Sequence, residues 1–390
     1  MKLFVIPSWY PSESNPSYGI FIKEQIMMMA QQRPEWKIGV STWGQGDAEK
    51  LIWVKDHFKN LSKIKKHQKD ASKVRERNGV IEYYQPALSW TKRFKKGNLK
   101  DIIRCNELNF QAFVTDNDKP DLILVQGTYP GILVGEYLSD KYDVPYHLHI
   151  RLGGFMFEHL LNDLGGIKGE TLSAIERARK VTVTSHFQQN ELQNWVPQAE
   201  VIYNPVDTDF FDLSNENGQY VLAIGRLEHE KGFDLLLEAI QNLPDVKLKI
   251  IGEGSQKENL LEKSSRLKLD DRVEFIGEKT REEVRRYIHK CQFLVLPSRY
   301  ETFGNVVLEA MACGKPVVAT RCGGPEEILT EYSGVLCDKD VTDLGSAIHE
   351  MVKTYSEYSP EKVREEAVSR FGVTEWFRQL EQIFKEGISK

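Results

Sequence analysis

The chain has 390 residues, which at about 150 residues per domain predicts two or three domains. Its 41% hydrophobic and 28% charged residues exclude a disordered or collagen-like chain. With 52 Lys and Arg against 57 Asp and Glu the formal charge is -5, so general nucleic-acid binding through a dominant basic field is excluded as well.

The opening apolar run Leu3 to Ile6 is cut by Pro7. It is too short for a signal-peptide core and reads as a short buried strand. Pro7 to Gly19 is a Pro-, Ser- and Gly-containing loop, and Ile20 to Gln31 reads as a helix, with Met27-Met28-Met29 as core packing. Trp9 and Tyr10 either stack on a sugar or simply pack. Trp36 to Ser41 is a second strand. The stretch Gly44 to Gly97 has no clean period and is expected to be helix plus loops. Within it begins a basic block, Lys55 to Lys100, holding 14 Lys and Arg against 4 Asp and Glu. That block either meets phosphates or an anionic membrane surface, or is a solvated face. Asp121 to Val125 is a continuous apolar run, as in a strand covered on both faces. A helix over Gly131 to Lys141, a strand over Tyr146 to Ile150 and a strand over Val181 to Thr184 follow, with Ser185 as cap of the next helix.

After Asn204-Pro205 the rhythm repeats. Strands are expected at Tyr220 to Ile224, Val246 to Ile251, Val273 to Ile276, Phe293 to Leu296, Val317 to Ala319 and Val335 to Leu336. Helices are expected at Phe233 to Asn242, Ser255 to Leu267, Arg281 to His289, Val306 to Met311 and Asp343 to Val352. Alternating strands and helices imply parallel sheets with right-handed crossovers. The expected fold class is therefore α/β, with two doubly wound Rossmann-like domains facing a cleft. The boundaries are 1–202 and 203–370, and the last helix, 371–390, crosses back to the first domain. Ligands of such sheets lie beyond the carboxyl ends of the strands. The five cysteines, Cys105, Cys291, Cys313, Cys322 and Cys337, include no Cys-x-x-Cys. They argue against a disulfide framework or zinc site and for buried, reduced thiols in a cytoplasmic protein. No run reaches membrane-spanning length, so any membrane contact is expected to be peripheral.

Chemistry concentrates in the second half. Strand Tyr220 to Ile224 runs into Gly225-Arg226-Leu227-Glu228-His229-Glu230-Lys231-Gly232 and then a helix. Gly225 is expected to allow close backbone approach. Arg226 and Lys231, with the helix N-terminus behind them, suit a diphosphate; an ordinary basic loop is the alternative. The second signal is Pro297 to Ala312, in which Glu301 and Glu309 straddle a strand-to-helix turn. Glu301 suits sugar hydroxyls and Glu309 a ribose diol, and the first-turn amides of Phe303, Gly304 and Asn305 form an anion site. Asp207-Thr208-Asp209 and Asp116-Asn117-Asp118 match a metal pattern too short to weigh, and no metal is expected. Gly252-x-Gly254 lacks the rest of a dinucleotide fingerprint, since position 257 is Lys.

Several of these segments together resemble one family. They are Gly225-Arg226 with Lys231-Gly232, Gly252-Glu253-Gly254, Phe275-Ile276-Gly277, Glu301-x7-Glu309, Gly314 to Ala319 and Gly323-Gly324. The chain is similar over these to retaining glycosyltransferases of the GT-B fold, family 4, strongly so over 200–340. Pro7-Ser8-Trp9-Tyr10-Pro11 with Gly19-Ile20-Phe21 resembles members that build bacterial surface polysaccharides. The resemblance implies transfer of a hexose-type sugar, with retention and without a metal or other cofactor. The donor is a nucleotide-diphosphate sugar and the acceptor a glycan or lipid-linked oligosaccharide. It implies that Arg226 and Lys231 neutralise the leaving diphosphate, Glu301 holds the sugar and Glu309 the ribose. Gly304 and Asn305 offer amides, and Gly19 admits the diphosphate to the first domain. Where many relatives carry a His near the transferred sugar, spacing from Pro145 puts Arg151, with His147 and His149 upstream on the same strand face. Arg151 and then His149 are the candidates to meet the sugar; core packing is the alternative for the two histidines. Other readings of the same plan are a nucleotide-sugar epimerase or phosphorylase, or a homologue that binds without turnover.

Overall fold

The computed structural model describes residues 1–12, 15–16, 18–45, 51–52, 73–87, 89–90, 95–153, 157, 168–214, 216 and 218–389. The chain divides into two compact units. One comprises Met1–Thr184, Gln188–Ile202 and Phe377–Lys390, the other Ser185–Phe187 and Tyr203–Trp376.

The first unit runs β1 (Lys2–Pro7), α1 (Ile20–Gln32), β2 (Lys37–Thr42), β3 (Leu51–Ile52), β4 (Lys73–Arg77), β5 (Val80–Tyr84), β6 (Ser89–Trp90), α2 (Lys95–Asn117), β7 (Leu122–Gln126), α3 (Gly131–Tyr142), β8 (Tyr146–His149), α4 (Lys168–Glu176), β9 (Lys180–Val183), α5 (His186–Leu192) and β10 (Glu200–Val201). Eight strands form one sheet in the order β10-β9-β8-β7-β1-β2-β5-β4. Every pairing in it is parallel except β4 with β5. The central strands β1 and β7 are buried along almost their whole length, as unbroken apolar runs predict for strands covered on both faces. Phe4 of β1 meets Phe110 and Phe113 of α2 edge-on, with centroids 5.1 and 5.6 Å apart.

The expectation of helix plus loops over Gly44 to Gly97 is corrected in its described part, where the chain forms strands up to Trp90 and helix only from Lys95. Asn78 and Gly79 both have positive φ, 50° and 78°, and Arg77 pairs with Val80. This is the two-residue hairpin turn that Asn-Gly favours, because its twist matches the flanking strands. Val80-Ile81-Glu82-Tyr83-Tyr84 then supplies β-branched and aromatic residues to a sheet position beside β2. Residues 55–72, 88 and 91–94 of the basic block lie outside the described residues.

The second unit runs β11 (Tyr220–Ile224), a single 3-10 turn (His229–Lys231), α6 (Phe233–Ile240), β12 (Leu248–Ile251), α7 (Lys257–Arg266), β13 (Val273–Gly277), α8 (Arg281–Lys290), β14 (Cys291–Leu296), α9 (Asn305–Ala312), β15 (Val317–Thr320), α10 (Pro325–Ile328), β16 (Gly334–Cys337), α11 (Val341–Thr354), α12 (Pro360–Phe371) and α13 (Val373–Ile388). Its six strands are all parallel in the order β13-β12-β11-β14-β15-β16. The order of strands reverses between β11 and β14, and that reversal places a ligand crevice beyond their carboxyl ends. Helix α8 starts on a full capping box, Thr280 with Glu283.

Helix α13 contributes its first turn to the second unit and the rest to the first. There Phe377 and Phe384 lie 5.3 and 6.4 Å from the Trp36 ring, and Arg33 bonds Glu381 at 2.9 Å. All five cysteines are free and buried. Among the described residues no helix is long and apolar enough to cross a membrane.

Candidate active site

Three loops leave the carboxyl ends of β11, β14 and β15, and main-chain contacts join them. Arg226 and the 3-10 turn follow β11. Gly232 closes that turn with φ 65°, and a Cβ there would lie 2.0 Å from the Pro297 carbonyl oxygen after β14. Only glycine lets the two loops come this near. Glu301 sits on the β14 loop. Its amide donates to the Cys322 carbonyl after β15, and its carbonyl accepts from the Gly324 amide.

The contact between the first two loops is ionic. Lys231 Nζ is 2.6 Å from Glu301 Oε1, which also accepts from the Ser298 hydroxyl at 2.9 Å. The two side chains are only 19% and 11% exposed, so this pair is weakly screened. Arg226 differs. Its side chain is 71% exposed and bonds Glu230 at 2.8 Å within the same loop, an exposed pair of the kind that adds little stability.

Gly304 takes φ 100°, a conformation that favours glycine, and it is the N-cap of α9. In the first turn of α9 the Val307 amide donates to the Gly304 carbonyl at 2.9 Å, while the amides before it have no intrahelical acceptor. Asn305 is oriented through its Oδ1, which accepts from Asn204 Nδ2 at 2.9 Å. Phe303 is buried, stacked on Tyr203 at 5.6 Å, so its side chain anchors the loop to the core. Glu309 is half-buried one turn into α9. Gly225 and Gly252 differ in how closely the fold crowds them. A Cβ on Gly225 would meet only ordinary contacts, the nearest at 3.5 Å, whereas one on Gly252 would lie 1.9 Å from the Gly225 carbonyl oxygen.

The remaining candidates belong to the first unit. Arg151 lies just beyond β8 and is buried. Its Nε and Nη2 donate to Gln126 Oε1 at 3.0 and 2.7 Å, its Nη2 also donates to Gln25, and its guanidinium stands 5.1 Å from the Phe21 ring. Burial lowers its pKa to about 9. The Thr182 hydroxyl bridges His147 Nε2 and His149 Nδ1 at 2.8 and 2.7 Å. Burial pushes both imidazoles down, His147 to about 3, and Lys180 adds to the effect at His147 and Arg151 at His149. His147 also meets the Phe384 ring edge-on at 5.4 Å. At Gly19, φ is 70° and a Cβ would lie 2.5 Å from the Trp9 carbonyl carbon, so the close approach shown there is of Trp9. Tyr10 is buried and bonds Glu82 at 2.7 Å, which settles its packing.

Residues 206–369 match the model of the family described as glycosyl transferases group 1. An uncharacterized glycosyltransferase of Methanocaldococcus jannaschii is 34% identical over 248 residues, which is 61% of this chain and 67% of the relative. This chain belongs to that family of glycosyltransferases. Other curated relatives are matched over less than half of their own length. Among solved structures, sucrose-phosphate synthase from Thermosynechococcus elongatus superposes with a TM-score of 0.76 at 19% identity, covering 99% of both chains. Anabaena HepE in complex with UDP-glucose superposes with a TM-score of 0.71 at 21% identity, again over 99% of both. The fold of this glycosyltransferase is thus the GT-B one, two α/β units of Rossmann-like architecture.

Within the second unit, Arg226, Lys231 and Glu301 stand on adjoining loops, with α9 starting four residues after Glu301. Two further side chains beside these loops had no assigned role in the sequence. Arg299 bonds Asp234 through both terminal nitrogens, at 2.7 and 2.8 Å. Glu327 accepts from the His186 and Phe187 amides at 2.9 and 2.6 Å. Neither pairing has a sequence signal, since the partners are 65 and about 140 residues apart.

Proposed function

We propose that this glycosyltransferase moves a hexose-type sugar, with retention, from a nucleotide-diphosphate donor to a glycan or lipid-linked acceptor. The observation that carries the reading is the Lys231–Glu301 pair, 2.6 Å apart, at the switch point of the second sheet. A cation and a carboxylate there answer the two halves of such a donor. Arriving phosphate oxygens displace Glu301 as the partner of Lys231, and Glu301 turns to accept from sugar hydroxyls. Arg226 exchanges its exposed partner Glu230 for the diphosphate. The α9 amides at Gly304 and Asn305 add a helix-end contribution of roughly 0.3–2 kcal/mol, and Glu309 takes the ribose diol. Gly225 leaves room beside Lys231. That HepE binds UDP-glucose on the same fold supports this donor class. The family resemblance assigns contact with the transferred sugar to Arg151, and after it His149, and contact with the diphosphate to Gly19.

In the reaction the bond from the anomeric carbon to the β-phosphate oxygen breaks, and its electron pair leaves on that oxygen. The acceptor hydroxyl oxygen bonds the anomeric carbon from the same face, and its proton passes to the departing phosphate. Arg226 and Lys231 stabilise the charge that develops there, so the scheme asks for no metal. Labelled donor and acceptor test it. Glu301→Gln and Lys231→Ala should each reduce transfer at least about a hundredfold, the scale of a lost electrostatic contact in a transition state. Transfer that survives both refutes the assignment. Release of an altered sugar nucleotide, or a requirement for inorganic phosphate, would favour the epimerase or phosphorylase reading instead.

We further propose a cytoplasmic enzyme of surface-polysaccharide synthesis, docked on an anionic membrane face through the 55–100 region. The similarity of Pro7 to Pro11 and of Gly19 to Phe21 to such members supports the polysaccharide role. Arg75 and Arg77 alternate along the edge strand β4 and so share one face, which supports the docking. Co-sedimentation with phosphatidylglycerol liposomes should exceed that with neutral liposomes and fall as salt rises; indifference to both refutes the docking.

A further inference from the structure

The pair formed by Arg299 and Asp234 has no part in the reading above, and its geometry connects it to Lys231. The turn that carries Lys231 is three residues of 3-10 helix, a short element of strained hydrogen-bond geometry. Lysine is a point charge on a flexible stem. Where its ammonium stands therefore depends on how firmly the turn is held. Arg299 takes two successive carbonyls of that turn. Its amide donates to Glu230 at 2.8 Å, and its Nη1 donates to His229 at 2.8 Å. The same guanidinium grips both oxygens of Asp234 in the first turn of α6. Arg299 itself lies two residues before Glu301. One planar fork thus joins the Lys231 turn, the start of α6 and the Glu301 loop. Burial would raise the Asp234 pKa, but the hydrogen bonds and charge of Arg299 outweigh it and hold the carboxyl below its ordinary range. Asp234 is then ionised at neutral pH, as a two-pronged charge pair needs.

We infer that Arg299 and Asp234 are positioning residues that set the Lys231 ammonium against Glu301 for the donor diphosphate. The inference rests on the site reading proposed above. Neither residue touches the donor; both act through the backbone of residues 229–232. The main-chain bond from the Arg299 amide survives any substitution, so side-chain changes loosen the turn without deleting the loop contact.

The test is a double-mutant cycle on the full chain, read by calorimetric binding of UDP, ADP, GDP and dTDP. Asp234→Asn and Arg299→Ala should each weaken the bound nucleoside diphosphate about tenfold, within the usual range of coupling between contacting groups. Neither should weaken it further in a Lys231→Ala background. Arg299→Lys, which keeps the charge but loses the fork, should recover only part of the loss. If Arg299→Ala fails to fold, Asp234→Asn and Arg299→Lys complete the same cycle. Losses that multiply undiminished in the Lys231→Ala background would overturn the inference and leave the site reading standing. Unchanged affinity in folded Arg299→Ala would do the same. If Lys231→Ala binds as the parent does, or the parent binds none of the four, the site reading fails and the inference with it.

Discussion

Lys231 and Arg226 carry the same charge in one loop and do not behave alike. Lys231 faces Glu301 under partial burial, whereas Arg226 is largely in solvent. Removing one member of a half-buried pair leaves the other uncompensated, at a cost of about 1–3 kcal/mol. Urea unfolding should therefore show Lys231→Met and Glu301→Gln each less stable than the parent, and the double variant less damaged than the sum of the two. Arg226→Ala should leave stability within about 0.5 kcal/mol while weakening nucleoside diphosphate binding, the more so at low salt. Gly232→Ala meets both a positive φ and the Pro297 carbonyl, and should cost more than about 2 kcal/mol. The buried histidines impose a pH dependence. The folded pKa of His147 is about 3, against an ordinary value of 6.5. The unfolded chain thus binds a proton that the folded one refuses. Stability of the first unit should fall as pH drops from about 6.5 towards 3, and His147→Gln should flatten that fall.

At the level of elements, the hairpin of β4 and β5 is one part that strand-and-helix rhythm failed to locate, and helices α2, α4 and α12 are others. The hairpin's signal was the Asn78-Gly79 dipeptide, hidden in a long charged stretch whose period is poor. Replacing both by Ala forces two residues lacking Gly's freedom through positive φ, at about 1–2 kcal/mol each. Amide exchange should then quicken in β4 and β5 with little change in β1 or β7. For several strands apolar runs were sufficient. The bounds read for β11 match those found, and β1, β7 and β15 differ by a residue or two. Such strands are covered on both faces, so burial is written along them without a break.

For the whole molecule, the last helix matters most. Phe377 and Phe384 are buried against Trp36, and Arg33 holds Glu381, so the first unit is completed by the far end of the chain. Phe384→Ala should destabilise that unit by about 3–5 kcal/mol. Segment-resolved amide exchange should quicken in β1, β2 and β8 and stay unchanged from β11 to β16. Nucleoside diphosphate binding by the second unit should persist.

The order of apolar runs and glycines by itself determined two series of parallel α/β units and put Arg226, Lys231 and Glu301 on loops after strands and Glu309 in the helix that follows. Strand burial and tight turns are local properties, written in a few neighbouring residues. Which side chains meet was decided only by the tertiary structure. The spacing of Lys231 from Glu301, or of Arg299 from Asp234, carries no period, because their contact exists only once β11 and β14 lie side by side. The same holds for Gly225 and Gly252, whose close approach exists only once β11 and β12 lie side by side.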